Sequence, residues 1–177
     1  MRLQTGDIAL VRVSKFTKWY RFLFAKLIQF FDRSYYHHAI AFIDGVFLEA
    51  DSRVVPRPLE YYNGDTLLVL ELLDPLMPDE KIRYREKAKK QLSKGYDYWG
   101  AMFSQLIYRL FGLWLGGSGK RSERKPYCSE LVLILINDVR GYFQDKHKWS
   151  PGDIMRKGGM YYRVKWEGVW DASKWRI

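Results

Sequence analysis

The 177-residue sequence has a single cysteine, Cys128, and three histidines, His37, His38 and His147. One thiol cannot close an intrachain disulfide, so a disulfide-held secreted scaffold is excluded and a reducing compartment is expected. One cysteine and three histidines offer none of the usual zinc-ligand spacings, and no metal or other cofactor is expected. The glycine-rich stretch 116–120 is not a phosphate loop. The first glycine of that motif would fall on Trp114, and Arg121 stands where a Ser or Thr must ligate magnesium. Residues 1–13 carry Asp7 and no long apolar run before a small-residue cleavage site, so no secretory signal is read there and a cytoplasmic location is expected. Long uninterrupted apolar runs are scarce as well. Residues 16–31 are rich in Phe, Leu and Trp but are broken by Lys18, Arg21 and Lys26, which suits an amphipathic helix. Residues 99–117, with Arg109 as the one charge, approach the ~20 residues of a span but read as a buried core helix in a globular chain. Both segments have the character for interfacial membrane contact.

What is present suffices for a core. With 47% hydrophobic and 17% aromatic residues against 28% charged, the chain is expected to fold as a single domain over residues 1–177. Thirty Lys and Arg against 20 Asp and Glu leave a formal charge of +10, which attracts polyanions. An anionic membrane surface is the expected partner of that kind, ahead of nucleic acid.

Along the chain, residues 8–13 read as a strand, and 37–43 with 46–50 as two strands joined at Asp44-Gly45, a hairpin signal. Residues 66–72 form another strand, and 160–166 a last one. Pro78-Asp79-Glu80 opens a charged helix that ends at Gly95, with acids early and lysines late as the helix dipole prefers. Residues 116–125 form a flexible basic loop. From Cys128 to Val139 the pattern is a helix apolar on nearly every face, hence central. Ser150-Pro151-Gly152-Asp153 is a helix start with a serine cap and proline at the first position. Strands and helices are segregated, which makes the class α+β.

Cys128 stands at the start of the buried helix, where unpaired N–H groups and the positive dipole end favour a thiolate. A thiolate nucleophile needs a base, and histidine titrates in the right range. His147 lies between two lysines and reads as a surface residue. His37 and His38 open one strand of the hairpin, and Glu49 stands on the other, where it can orient an imidazole. Which histidine shares the face of Glu49 depends on the turn. A plain two-residue turn at Asp44-Gly45 puts Glu49 with His38 and Ile40, whereas a three-residue loop with a bulge puts it with His37, Ala39 and Ala41. The second face, lined by small side chains, leaves more room for a substrate or for the helix of the nucleophile.

The run from His37 to Ala50 resembles the histidine hairpin of NlpC-type cysteine peptidases and of their circularly permuted relatives, the lecithin:retinol acyltransferase-like proteins and the bacterial permuted papain-like amidases (the YiiX-like branch). In that pattern a histidine opens one strand and a polar residue twelve positions later completes a triad, a spacing met by His37 and Glu49. Glutamate in the third place is similar to the amidase branch. Gly6-Asp7-Ile8, Tyr96-Asp97-Tyr98, the segment from Pro126 to Val132, and Ser150-Pro151-Gly152-Asp153-Ile154 resemble further motifs of that branch, in the permuted order of histidine before cysteine. The departures are residues 99–125 and the second histidine at position 38.

The resemblance implies a circularly permuted papain-like fold, an antiparallel sheet packed against a central helix that bears the nucleophile. It implies a cysteine-dependent hydrolase acting on an amide- or ester-containing substrate, whether peptide, cell-wall peptide or lipid, through an acyl-enzyme. Cys128 is then the nucleophile, His37 the base and Glu49 the third member. The oxyanion takes the Cys128 N–H and a side-chain donor, for which Tyr96 is the candidate. Tyr127 and His38 are the other residues expected on the substrate's side, while Ser129 and Glu130 serve the helix start. Two other readings stand beside this one. One is acyl transfer to a lipid-like acceptor by the same residues. The other is a non-catalytic basic module that docks through the 16–31 helix, the lysine-rich helix and residues 119–125.

Overall fold

In the computed structural model the described residues, 1–12, 25–26, 29–30, 32–95, 107, 126–143 and 148–176, build one six-stranded antiparallel sheet with helices against one of its faces. The strands are β1 (Ile8–Arg12), β2 (Tyr36–Ile43), β3 (Val46–Ala50), β4 (Val54–Pro58), β5 (Thr66–Leu72) and β6 (Tyr162–Val169), in the spatial order β4-β3-β2-β1-β5-β6. Five coincide with the expected strands to within about three residues at either end, the scatter usual for strand boundaries. The sixth, β4, carries Pro56 and Pro58 and has no strand signal in the sequence. It is an edge strand, the place where a missing N–H costs no ladder bond.

Among the described residues α1 (Pro78–Gln91) packs on α2 (Cys128–Arg140), and α2 and α3 (Pro151–Lys157) lie on the sheet. In α1 Pro78 begins the first turn, and the Glu80 carboxylate accepts the Met77 N–H at 2.8 Å. Only Tyr84, Ala88 and Gln91 of α1 are buried, so its lysine-rich remainder is a solvated face. The opposite holds for α2, in which every residue from Cys128 to Ile136 is buried, and Gly141 ends the helix in the left-handed conformation at φ 64°. Arg140 ties the end of α2 to the start of α1 through Glu80 at 2.7 Å and Asp74 at 2.7 Å.

Alternation along each strand sends side chains to two cores. Ile8, Leu10, Ala39, Ala41, Leu48, Leu68 and Leu70 pack under the helices. Ala9, Val11, Ile40, Phe42, Phe47, Leu67 and Val69 pack on the other face against Leu59, Tyr62, Trp170 and Trp175. The last two indoles stack with centroids 4.8 Å apart, and Trp170 donates its N–H to the Leu59 carbonyl at 2.9 Å. A sheet buried on both sides explains why its central strands read as nearly continuous apolar runs.

The Ser150 cap forms as expected: its hydroxyl accepts the Asp153 N–H at 3.1 Å, and Asp153 accepts the Ser150 N–H at 3.2 Å. The carboxylate of Asp32 joins it from the other end of the chain, accepting the Gly152 N–H at 2.7 Å. The expected helix at 99–117 apart from Ile107, the basic loop at 116–125, most of the helix expected at 16–31, and Tyr96 lie outside the described residues. Among the described residues no helix is long and apolar enough to cross a membrane.

Candidate functional site

The hairpin turn at Asp44-Gly45 is the plain two-residue kind. Ile43 pairs with Val46, Phe42 with Phe47 and Ala41 with Leu48, and Asp44 and Gly45 both have positive φ, at 44° and 93°. Continued, this register sets Glu49 opposite Ile40 and on the face of His38. Pairing between β2 and β3 ends at Ala41 and Leu48, and beyond that point β2 is held by β1 and β3 by β4. The two strands part where His38 and Glu49 stand.

A second irregularity shapes the start of β2. Val11 pairs with His38 but Arg12 pairs with Tyr36, so His37 is an extra residue, a bulge that breaks the alternation of faces. The two imidazoles therefore lie beside each other, with centroids 6.2 Å apart and planes inclined by 29°.

His38 Nε2 lies 3.3 Å from Glu49 Oε2. Glu49 also accepts from Arg57 Nε at 2.6 Å on Oε1 and from the Tyr62 hydroxyl on Oε2. On its other side the His38 ring is close enough to Cys128 for each to shift the titration of the other, and the backbone N–H groups of Ala39 and Ser129 act on the same sulfur. The parting of the strands accounts for the Ala39 contact. Phe42 N–H donates to the Asp7 carbonyl at 2.8 Å, so even-numbered N–H groups of β2 face β1 and odd-numbered ones face β3. At Ala39 the ladder to β3 has ended, and its N–H faces the side from which the sulfur at the start of α2 approaches.

Burial alone would raise the Cys128 pKa, but the charge and hydrogen bond of His38, with the two backbone N–H groups, hold it below the ordinary thiol value. Burial would lower the His38 pKa; Cys128, and then Glu49, raise it instead to about 10. Burial would likewise raise the Glu49 pKa, yet His38, Tyr62 and Arg57 bring it down to about 2. The arrangement favours a thiolate, an imidazolium and a carboxylate in succession. Cys128 is 4% exposed, while the His38 side chain is 18% exposed and forms the more open edge of the group.

The structure thus brings together Cys128, Glu49 and His38, where His37 was expected. The two-residue turn fixes the parity, and the bulge leaves His37 under the charge of its neighbour. Its pKa falls to about 3, through burial first and then repulsion by His38. Tyr127, expected on the substrate's side, is the buried residue just before α2, and its side chain does not cap the helix. Glu130 is a buried acid of the first turn, as expected, whereas Ser129 does not cap the helix: its hydroxyl donates to the Trp149 carbonyl at 2.7 Å and ties α2 to the segment before α3. Arg57 and Tyr62 were not legible, since they lie on β4 and on the short 3-10 turn Leu59–Tyr62, neither of which the sequence pattern announces. Among the described residues no three His, Cys, Asp or Glu side chains are grouped so as to hold a metal ion.

The class these elements define is α+β, a six-stranded antiparallel sheet with a cysteine at the head of its central helix. The fold is similar to that of the metalloprotein yiiX from Escherichia coli O157:H7, with a TM-score of 0.56 and 23% identity over 78% of this chain and 67% of that one. No family model matches the sequence, and no curated protein does.

Proposed function

We propose that the chain is a cysteine-dependent hydrolase of amide or ester bonds with a permuted papain-like, NlpC-type arrangement, in which Cys128 is the nucleophile, His38 the base and Glu49 the residue that orients the imidazole. The observation that supports this reading is the neighbourhood of sulfur, imidazole and carboxylate, with His38 Nε2 at 3.3 Å from Glu49 Oε2 and the His38 ring beside Cys128. With Nε2 turned to Glu49, Nδ1 is left for the sulfur, which fixes the tautomer as the third member of such a set does.

In the reaction, the Cys128 thiolate adds to the substrate carbonyl, forming a C–S bond and an oxyanion. The Cys128 N–H, one of the donors that a helix start leaves without an intrahelical partner, is the donor this reading assigns to that oxyanion. Collapse breaks the C–N or C–O bond as His38 gives its proton to the leaving group, and a thioester remains. Water, losing a proton to His38, then adds to the thioester. The C–S bond breaks, the acid is released and the thiolate–imidazolium pair is restored. An acceptor in place of water would make the same intermediate an acyl donor.

The test is to treat the full chain with p-nitrophenyl acetate and follow both p-nitrophenol release and the mass of the protein. An acyl adduct on Cys128, absent from Cys128→Ala and slow to form in His38→Ala, is expected. A Cys128 that takes up no acyl group and alkylates with the pH profile of a free thiol would overturn the proposal. Added amines that divert the acyl group from water would identify a transferase.

A further inference from the structure

Arg57 does more than bind Glu49, and its geometry is unlike that of a buried guanidinium. Arg140, with a side chain 7% exposed, spends all three of its nitrogens on Glu80, Asp74, Pro75 and Tyr142. That is the expected state for a buried cation, because each unsatisfied donor is costly. Arg57 is 31% exposed and uses only Nε, toward Glu49. No described residue accepts from its two terminal amino groups.

The guanidinium is nevertheless fixed on two sides. The guanidinium carbon lies 4.5 Å from the centre of the Tyr61 ring. Tyr61 packs edge-to-face on Tyr62 at 5.1 Å, and Tyr62 on Phe47 at 5.6 Å. Tyr62 in turn bonds the same carboxylate as Arg57. A guanidinium clamped by a carboxylate on one edge and an aromatic ring on one face keeps its outer fork pre-organised, and two parallel N–H donors match the two oxygens of a carboxylate or phosphate. Glu49 balances the Arg57 charge and Cys128 balances that of His38, so the neighbourhood carries no net charge to repel an incoming anion. The fork lies just across Glu49 from the imidazole of His38.

We propose that Arg57 and Tyr61 form a subsite for an anionic group, a carboxylate or a phosphate, on the molecule that Cys128 attacks. The inference rests on the hydrolase reading for the word substrate, but the subsite itself is a binding property and is tested without turnover. The side of the Tyr61 ring away from Arg57 offers an apolar surface to the part of the molecule that carries the anion, since Tyr61 is 51% exposed.

The experiment is calorimetric titration of the full chain with hippurate, phenyl phosphate and the neutral hippuramide, three probes that share an aromatic ring. An anion bound at least about tenfold more tightly than the amide is expected, in line with a bidentate charged pair. Tighter hippurate assigns a carboxylate, and tighter phenyl phosphate a phosphate. Arg57→Gln should erase the difference, with Arg57→Lys restoring only part of it. Tyr61→Ala, which leaves the bonds of Glu49 in place, should weaken all three probes, and it serves as the test if Arg57→Gln melts early. Equal binding of anion and amide, or a preference that survives Arg57→Gln, would overturn the subsite. If acylation of Cys128 fails while the anion preference stands, the hydrolase reading fails and the subsite remains; the reverse result removes the subsite alone.

Discussion

His38 and Glu49 meet at 3.3 Å across a hairpin whose two strands have stopped pairing. The gap beyond Ala41 and Leu48 lets an imidazole on β2 reach a carboxylate on β3 and, through the Ala39 N–H, receives the sulfur of α2. Several measurable consequences arise from that opening.

The first concerns which histidine sets the thiol. His38→Ala should lower the rate of Cys128 alkylation by iodoacetamide at pH 7 by about tenfold or more, because the thiol returns toward its ordinary pKa. His37→Ala should change it by less than about threefold, since His37 is neutral at that pH and makes no bond to the sulfur. Mass spectrometry against time reads both. A larger effect of His37→Ala would return the base to position 37.

Glu49→Gln removes the charge that steadies the imidazolium while keeping the shape. The pKa of His38 should fall and that of Cys128 rise, and turnover of a reactive ester should drop by about 10²- to 10⁴-fold. Tyr62 and Arg57 lose an anionic acceptor, so unfolding free energy by urea should fall by about 1–3 kcal/mol. Unchanged turnover would show that Glu49 is only a structural carboxylate.

Stability should form a plateau in pH. Unfolded, the histidines titrate at 6.5 and the thiol at 9.0. Between those values the folded thiolate–imidazolium pair and the unfolded neutral pair hold the same number of protons, so stability is flat. Above pH 9 the unfolded thiol loses its proton while His38 keeps one up to about 10, and stability falls as pH rises. Below 6.5 the unfolded chain gains protons that the folded chain refuses, the one on His37 until about pH 3, and stability falls as pH drops. Urea midpoints across pH 4 to 10 check this. His38→Ala should flatten the alkaline side, and His37→Phe should make the acid side shallower.

Gly152 is fixed by contact. A Cβ there would stand 2.5 Å from Asp32 Oδ2 and 2.7 Å from Ser34 Cβ, whereas one at Gly159 meets nothing within 4 Å. Gly152→Ala should cost about 1–3 kcal/mol and lower the melting temperature, while Gly159→Ala stays near neutral. Equal melting temperatures would show that the Asp32 side yields without cost.

Much of this was written locally. The Asp44-Gly45 turn, the proline and serine that open α3, the acids and lysines of α1 and the all-round apolar face of α2 depend on neighbours along the chain, and those elements lie where their patterns put them. The exception is the end of α1, which falls at Gln91 and not at Gly95, a residue that bridges to Arg53. The strand β4 was hidden because its prolines argue against pairing, and only its place at the sheet edge makes them harmless. With it went Arg57 and, on the turn that follows, Tyr62.

Local chemistry was enough to put a lone cysteine at the head of a buried helix and a histidine pair with a glutamate in one hairpin, because helix starts and hairpin turns are short-range features. Which of the two histidines meets Glu49 was settled by the folded arrangement of the strands. The two-residue turn sets the parity, and the choice is completed by a bulge in the pairing of β2 with β1 and by the point where β3 leaves β2 for β4. Both are set by how distant strands compete for the same backbone groups, and no spacing within the hairpin encodes them.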